Sequence, residues 1–422
     1  MKEINRSLSC GRRRSAFPGV VAGLGIVCAT TTISAMAQDA QGDVISLTAG
    51  LGVTRDSNVL RVADGTNTQA LGGEGMSDTF LRGNLGISFD RLISQQRLQM
   101  SAEVDGYKYN DYDEFDNLGY NAGLNYDWVI GRPFFGRIGG RVYQYQPAIQ
   151  DRQQTTTERN EVERQTLYLN GGIRFTPSWS AIAGWDIERR RNSSSIYNDS
   201  DADYNSVEGG LRFAPGTGTE IDFVYRRTNG DYKSLQVNGP DGLPLLSGPR
   251  SSDFDQDALL ARISYRPSED SRLAGRIGYT KRSYDVDGSR DFSGITTGFD
   301  IEWAQSGAIQ MLVSVARDIE PDDSAITATY ADAKSIALRP TIQATGKIKL
   351  MPFFQYVDRT YKGEGGSRER KDKFHAVGIG ATYEIRRNLN AVFDLRREER
   401  NSNIDALDFD ANIVSAGIQA RF

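Results

Sequence analysis

The sequence NIVSAGIQARF, residues 412–422, alternates between two kinds of side chain. One row is apolar and consists of Val414, Ala416, Ile418, Ala420 and Phe422. The residues between them are polar or glycine, and a period of two is typical of a β-strand with one apolar and one polar face. This strand includes the last residue, although terminal residues usually fray unless neighbouring elements hold them. The segment therefore predicts a β-barrel whose last strand pairs with its first.

Alternating segments of the same kind recur along the chain. Examples are LRGNLGISF at 81–89, YNAGLNYDW at 120–128 and LYLNGGIRF at 167–175. Counting them gives about eighteen strands, and sixteen remain possible because the fourteenth segment, TATYADAKSIALRP at 327–340, alternates poorly. The predicted strands begin near Val44, Thr79, Leu98, Leu118, Pro133, Glu163, Trp179, Tyr204, Thr219, Asp257, Arg272, Ser293, Ala308, Thr327, Lys347, Phe374, Leu389 and Asp410.

A series of aromatic residues marks one end of the predicted strands. Its members are Phe89, Trp128, Phe175, Phe213, Tyr265, Trp303, Tyr383 and Phe422. Short turns follow these residues, whereas long polar segments connect the strands at the other end, as in outer-membrane barrels. We therefore predict an all-β fold, a transmembrane antiparallel up-and-down β-barrel in contact with the outer-membrane lipid of a Gram-negative cell. A secreted β-sandwich or solenoid is the alternative, and it does not explain outward faces that are apolar on all sides.

Residues 1–37 are predicted to be a secretory signal peptide. A basic segment, an apolar run and small residues at the A-x-A positions precede the expected cleavage site after Ala37. The barrel domain then spans 38–422. Both cysteines, Cys10 and Cys28, fall in the segment to be removed, so we expect neither disulfides nor thiolate metal sites.

The composition of the mature chain argues against nucleic-acid binding and against catalysis. Removing five basic and one acidic residue from totals of 50 and 55 leaves a net charge of −9, which does not suit nucleic acid as a partner. The single histidine, His375, shares parity with Val377 and Ile379 and is expected to face lipid or the outer interface. A hydrolase needs a nucleophile with a base in hydrogen-bond reach. We therefore predict no enzymatic activity, no catalytic residue, no metal site and no cofactor.

Charged residues occupy the polar parity of many strands, which is the parity expected to face the lumen. Buried single charges are costly unless paired, so these residues either form ion pairs between strands or line water. A barrel of 16–18 strands encloses an aqueous interior, and we expect most of the charges to form a ladder that holds the wall together.

Some inward positions suit a ligand better. They are Tyr107, Tyr109, Arg137, Arg141, Tyr143, Tyr145 and Tyr168. Aromatic faces stack on sugar rings, and guanidinium groups bind hydroxyl and acidic groups. The open alternative is that Tyr107, Tyr109, Tyr143 and Tyr145 belong to the outer girdle or to the bases of the loops.

The first predicted strand ends in a distinctive phrase, SLTAGLGVTRDSNVLRV at 46–62. It resembles the opening of the EpsL-type exopolysaccharide export barrels, a branch of the putative β-barrel porin family. The resemblance implies an export barrel, and Gram-negative barrels of this kind commonly end in an aromatic residue that the barrel assembly machinery reads. It supplies no catalytic residues. Asp56, Asn58 and Arg61 match the phrase, and we expect a structural role for them, because Asp and Asn beside a strand end make local side-chain turns.

These observations predict an outer-membrane channel that exports exopolysaccharide through a wide hydrated lumen, with periplasmic polysaccharide export components as candidate partners. The first alternative is a general or nutrient-uptake porin, which a constriction loop in the lumen would favour, and the segment around Gly239 is the candidate loop. The second alternative is an adhesive or structural surface protein whose long loops are functional.

Overall fold

The protein is a barrel of eighteen antiparallel strands in a single sheet. A computed structural model describes residues 45–71, 75–147, 159–194, 200–216, 218–232, 253–268, 270–285, 291–321, 330–362 and 369–422. The strands are β1 (Ile45–Asp56), β2 (Asp78–Ile93), β3 (Gln96–Tyr109), β4 (Asn117–Ile130), β5 (Phe134–Tyr145), β6 (Val162–Arg174), β7 (Trp179–Asn192), β8 (Ala202–Gly216), β9 (Thr219–Tyr232), β10 (Phe254–Ser268), β11 (Ser271–Tyr284), β12 (Phe292–Ser306), β13 (Ile309–Pro321), β14 (Tyr330–Gln343), β15 (Ile348–Lys362), β16 (Lys371–Arg386), β17 (Leu389–Ser402) and β18 (Phe409–Arg421). The predicted signal peptide and the candidate loop around Gly239 lie outside the described residues.

Each strand pairs with the next in sequence, and β1 pairs with β18 to close the sheet. At this seam Val53 lies opposite Ala416, and the backbone groups of Leu47 and Phe422 exchange two hydrogen bonds of 2.8 and 2.9 Å. Closure leaves no free strand edge, so every strand has a partner on both sides. The predicted pairing of the last strand with the first is confirmed.

The predicted strand count is also confirmed at its higher value. The fourteenth segment, which alternates poorly, forms β14 and pairs with both neighbours. The predicted starts agree with the observed ones to within three residues. The largest differences are at β10, expected near Asp257 and observed at Phe254, at β14, expected near Thr327 and observed at Tyr330, and at β16, expected near Phe374 and observed at Lys371.

The two faces of the wall carry opposite chemistry. On β2, Leu81 and Leu85 point outward and are exposed, whereas Arg82 between them points inward and is half-buried. The same parity exposes apolar side chains around the barrel, among them Leu51, Leu124, Leu169, Phe223, Leu259, Ile295, Val377 and Val414. Water-soluble proteins rarely expose continuous apolar surface on this scale, whereas outer-membrane barrels do so as a rule.

The two ends of the barrel differ as the sequence predicts. Short turns such as 94–95 and 307–308 join the strands at one end, and longer connections such as 57–77 join them at the other. Several of the predicted aromatic residues are exposed at the turn end, namely Phe175, Tyr265, Trp303, Tyr383 and Phe422. Phe213 is half-buried because its ring packs against Trp179 with 4.8 Å between the ring centroids.

Buried side chains are concentrated towards the loop end. The apolar clusters there are Val59, Leu60, Tyr112 and Phe115; Phe254, Tyr284, Ile319 and Tyr330; and Val357, Phe374, Ala376 and Phe409. Helical structure in the described part of the chain consists of short 3-10 turns such as Asp113–Phe115. No helix among these residues is long and apolar enough to cross a membrane.

Candidate functional site in the barrel lumen

Inward-facing charges pair between neighbouring strands. Arg82 on β2 binds Asp105 on β3 at 2.5 Å, and Arg212 on β8 binds Asp222 on β9 at 2.7 Å. Arg137 on β5 is paired with Asp127 on β4 in the same way. Each pair offsets the cost of placing a charge in the wall, since a carboxylate and a guanidinium satisfy one another through charge-assisted hydrogen bonds. The predicted charge ladder is therefore present.

The ladder becomes a connected network on β7–β10. Glu208 on β8 accepts from Arg262 on β10 at 2.6 Å and from Arg226 on β9 at 3.1 Å. Arg226 also reaches Asp186 on β7 at 2.7 Å. Two cations and two anions thus link four strands, and the half-buried side chains leave the network in contact with the lumen. The network is close to neutral, because its two cations face two anions.

The predicted ligand residues are all on inward positions, but the structure does not bring them together as one site. Tyr168 lies flat on the wall opposite Gly139, and its hydroxyl donates to Asn125. A Cβ atom at position 139 would lie 2.5 Å from the Tyr168 hydroxyl oxygen, so only glycine fits under this ring. Tyr168 is therefore part of the wall rather than a projecting platform.

Tyr107 and Tyr109 belong to the packing near the loop end. The guanidinium carbon of Arg82 lies 5.5 Å from the centre of the Tyr107 ring. The Tyr109 ring lies between Phe80 and Phe115, with centroid distances of 4.6 and 5.8 Å. Tyr109 therefore lies at the base of a loop, which was the alternative to a position in the lumen.

Arg141, Tyr143 and Tyr145 form a continuous stack along the inner face of β5, which we call the β5 stack. The Arg141 guanidinium carbon lies 4.9 Å from the centre of the Tyr143 ring, and the rings of Tyr143 and Tyr145 are 5.7 Å apart at an interplanar angle of 21°. Arg141 is exposed, both tyrosines are half-buried, and Arg141 Nε donates to Asn121 at 2.9 Å. The β5 stack therefore places two stacked aromatic rings beside a cation within the lumen.

The segment after β1 folds inward and is held by buried polar groups. The Asn58 amide donates to Asp56 Oδ1 at 2.9 Å, which is the local side-chain turn that the sequence predicts. Arg61 then binds Asp56 at 2.8 Å and Glu398 on β17 at 3.1 Å. We call Asp56, Asn58, Arg61 and Glu398 the mouth latch. It ties the first long loop to a strand on the far side of the seam.

The mouth latch is buried and conformationally specific. The Arg61 side chain is 4% exposed, and Asn58 Nδ2 donates to the carbonyl oxygens of Val62 and Asp410 at 2.8 and 3.0 Å. Arg61 has a φ of +53°, a left-handed conformation that is uncommon for residues other than glycine. Sequence reasoning noticed Asp56, Asn58 and Arg61 but missed Glu398, because no local pattern connects positions 61 and 398.

A second loop, 110–116, packs against the first, because its Tyr112 and Phe115 form one apolar cluster with Val59 and Leu60. Asp78 accepts from the backbone amides of Asp111 and Tyr112, both at 3.1 Å. Burial raises the pKa of Asp116, but the Lys108 ammonium and the Tyr109 amide outweigh it and hold the pKa of Asp116 below its ordinary value. The first two long loops therefore form a folded unit over one side of the mouth.

Sequence reasoning also missed an aromatic rim on the next part of the wall. One inward aromatic residue from each of five successive strands forms it: Tyr204, Tyr232, Phe254, Tyr284 and Phe292. The hydroxyls of Tyr204 and Tyr232 are 2.8 Å apart, and the Phe254 and Tyr284 rings are 5.7 Å apart. Phe254 lies over Gly230, where a Cβ atom would be 2.5 Å from its ring. Since Phe254 and Tyr284 are buried, the rim strengthens the mouth by packing.

Within the described ranges, no group of three or more His, Cys, Asp or Glu residues is arranged to hold a metal ion. His375 lies on the outer face, as predicted, where its ring packs on Tyr356 at a centroid distance of 5.1 Å.

A closed barrel with an apolar exterior and a charged lumen is the architecture of outer-membrane barrels. Residues 273–422, which run from β11 to β18, match the family model described as "Putative beta-barrel porin 2". No curated protein matches the chain.

Solved structures that are similar to this chain include three outer-membrane proteins. OccK1 (OpdK) from Pseudomonas aeruginosa is 12% identical with a TM-score of 0.45, over 90% of this chain and 99% of that one. The ferric enterobactin receptor PfeA (mutant R480A) from the same organism is 9% identical with a TM-score of 0.44, over 89% and 81%. The alcaligin outer-membrane receptor FauA from Bordetella pertussis is 11% identical with a TM-score of 0.40, over 89% and 76%. Because these TM-scores are all below 0.5, the assignment of the fold rests on the strand pairing described above.

Proposed function

We propose that this protein is a passive channel of the Gram-negative outer membrane. The outward apolar surface supports a location in lipid, because it would be costly to expose to water. The paired charges of the lumen support a hydrated passage, because an interior of this polarity suits water better than hydrocarbon. The channel acts without chemistry, and the barrel assembly machinery inserts it.

The cargo in this proposal is a saccharide polymer that is exported to the cell surface. The observation that carries it is the β5 stack, where two half-buried tyrosine faces and an exposed guanidinium share one inward stretch of strand. Aromatic faces bind the C–H surface of sugar rings, and the guanidinium binds hydroxyl or acidic groups. Weak contacts of this kind guide a moving polymer without trapping it. Synthesis and periplasmic export components would supply the driving force.

Deletion of the gene tests the export reading. The null strain should retain polysaccharide in the periplasm with unchanged sugar composition, because a channel passes the polymer but does not modify it. The measurement is the polysaccharide in secreted and periplasmic fractions. Normal secretion by the null strain would rule out export.

The paired change Tyr143→Ala and Tyr145→Ala tests the β5 stack. Each lost stack should weaken a sugar contact by about 1 kcal/mol, so secretion should fall while barrel abundance stays constant. The matched control is Tyr225→Ala with Tyr279→Ala, because both of these tyrosines are exposed on the outer face. An equal loss in both double variants would point to a defect in assembly. A loss in the null strain but not in the β5 variant would retain export and discard the stack.

One observation favours a second function, a general or nutrient-uptake porin. The mouth latch draws the first long loop against the inner wall, and an inward loop is the feature expected of a porin that selects solutes by size. In this case, the null strain should grow slowly on a limiting small solute and secrete polysaccharide normally. The same two measurements, growth and secretion, therefore separate the candidates.

A further inference from the structure

A cluster of basic residues lies on the outer face near the loop end of β13–β16. Strand register places Arg317 opposite Lys334, Lys334 opposite Asp358, and Asp358 opposite Lys373. These positions share parity with Val315 and Val377, which are exposed on the outside of the barrel. Lys334 and Lys373 are themselves exposed. Adjacent strands are about 4.8 Å apart, so the two ammonium groups flank a space of about 10 Å that both can reach.

The outer face below this cluster becomes apolar in two steps towards the turn end. The next outward row is Val315, Ile336, Tyr356 and His375, and the row after it is Val313, Leu338, Phe354 and Val377. Val377 is 54% exposed and Phe354 is 38% exposed. A charged row, then a row that mixes aliphatic residues with Tyr356 and His375, then a wholly apolar row match the order of headgroup, interface and hydrocarbon in a lipid leaflet.

On β13–β16 the cluster contains three cations, Arg317, Lys334 and Lys373, and two outward acids, Asp332 and Asp358; a further outward acid, Glu399 on β17, lies opposite His375. Arg317 is neutralised by Asp332, with their side chains 2.9 Å apart. Asp358 is the one acidic residue directly opposite both lysines in the strand register, and neither Lys334 nor Lys373 makes an ion pair within the described part of the chain. Two other cations on the outer face are paired with acids: Arg227 binds Asp255 at 2.9 Å, and Arg191 binds Asp203 at 2.7 Å.

We propose that Lys334 and Lys373 form a docking site for the phosphate-bearing headgroup of an anionic lipid in the outer leaflet. The phosphate oxygens accept from the two ammonium groups, and the acyl chains lie on the rows that contain Phe354 and Val377. The proposal rests on the membrane location in the proposed function. A lysine near a membrane surface strengthens attraction to anionic lipid by about fivefold, so two should contribute about 25-fold.

The test is lipid binding by the purified full-length barrel in detergent. Native mass spectrometry would measure the affinity for dioleoylphosphatidic acid, with dioleoylphosphatidylcholine as the neutral-headgroup reference. We expect phosphatidic acid to bind more tightly than phosphatidylcholine. The paired change Lys334→Gln with Lys373→Gln should reduce that preference by about 25-fold. The matched control is Arg191→Gln with Arg227→Gln, which should retain it because those cations are already paired with acids. Unchanged β-sheet content and heat-modifiability confirm that each variant is folded.

Three outcomes would overturn the proposal. The first is a wild-type barrel without preference for phosphatidic acid, and the second is an equal loss of the preference in both double variants. Displacement of the lipid by inorganic phosphate alone would instead indicate a soluble-anion site. Membrane fractionation keeps the two hypotheses apart: a barrel absent from the outer membrane refutes the proposed function, whereas a correctly localised barrel without the lipid preference refutes the docking site alone.

Discussion

Replacing Arg61 with alanine should release the first long loop from the barrel wall. Arg61 binds Asp56 at 2.8 Å and Glu398 at 3.1 Å, and all three side chains are at most 8% exposed. Breaking a buried ion pair by removing one partner costs about 3–5 kcal/mol, since the other charge is left uncompensated. Here Glu398 keeps Arg396 at 3.1 Å, and Asp56 keeps the Asn58 amide. We therefore expect the stability lost by Arg61→Ala to lie at the lower end of this range, at about 3 kcal/mol.

Amide hydrogen exchange in the folded barrel measures this change. The amide of Val59 donates to the carbonyl oxygen of Met76 at 2.7 Å within the loop, so its protection reports loop opening without contact to Arg61. A loss of about 3 kcal/mol corresponds to roughly a hundredfold faster exchange. The control is Arg227→Ala, which breaks an exposed pair and should cost at most about 1 kcal/mol.

A third variant separates the backbone from the charge. Because Arg61 has a positive φ, Arg61→Gly should lose the ion pairs but relieve roughly 1 kcal/mol of backbone strain. Exchange at Val59 should therefore be slower in the glycine variant than in the alanine variant. If the Val59 amide is as well protected from exchange in the Arg61→Ala variant as in the Arg227→Ala variant, the mouth latch does not hold the loop and the reasoning is refuted.

Three further predictions concern the fold and its ends. The purified protein should be heat-modifiable on gels and almost purely β by circular dichroism, and a helix-dominated spectrum would contradict the barrel. Phe422→Ser should lower the amount of assembled barrel far more than transcript, because Phe422 belongs to the exposed aromatic series at the turn end; normal outer-membrane levels on a blot would show that the aromatic ring has no assembly role. The pKa of Asp116 is lowered in the fold, so the Asp116 carboxylate stabilises the folded state above its unfolded pKa of about 4, and this stabilisation is lost as the pH falls through its folded pKa. Hydrogen exchange at the Tyr109 amide, which donates to Asp116, should accelerate over that pH range. Asp116→Asn should remove this acid-dependent step.

The wall of the barrel could be predicted from sequence because its rule is local. A side chain two residues along a strand points to the same face, so the alternation around Leu85 or Ile418 assigns inside and outside without knowledge of any partner. Neighbouring strands pair in sequence order, and the turns between them identify the partner. Even β14 follows this rule, because β13 and β15 determine its position although its own pattern is weak.

The lumen and its mouth could be predicted only in part, because parity gives the face of a residue but not its neighbours. Tyr168 and Tyr143 both face inward, yet one lies against Gly139 while the other stacks along β5. The difference depends on register between strands, which the period of one strand does not contain. The partnership of Arg61 with Glu398 depends on barrel closure and has no local signal at all.

The seam between β1 and β18 differs from every other pairing of neighbouring strands in one respect, which is chain connectivity. Other strand pairs are linked through a single turn or loop, whereas the amide of Asn412 bonds to Ser57 across 355 residues. Chain entropy makes closure of such a loop about 4 kcal/mol more costly than closure of a turn of about four residues. Contacts across the seam must offset this difference, so the seam is the pairing expected to form last during folding and to part first under force. A circular permutant that joins residue 422 to residue 45 through a short linker, with new ends opened in a loop, would move this weakest pairing elsewhere in the wall.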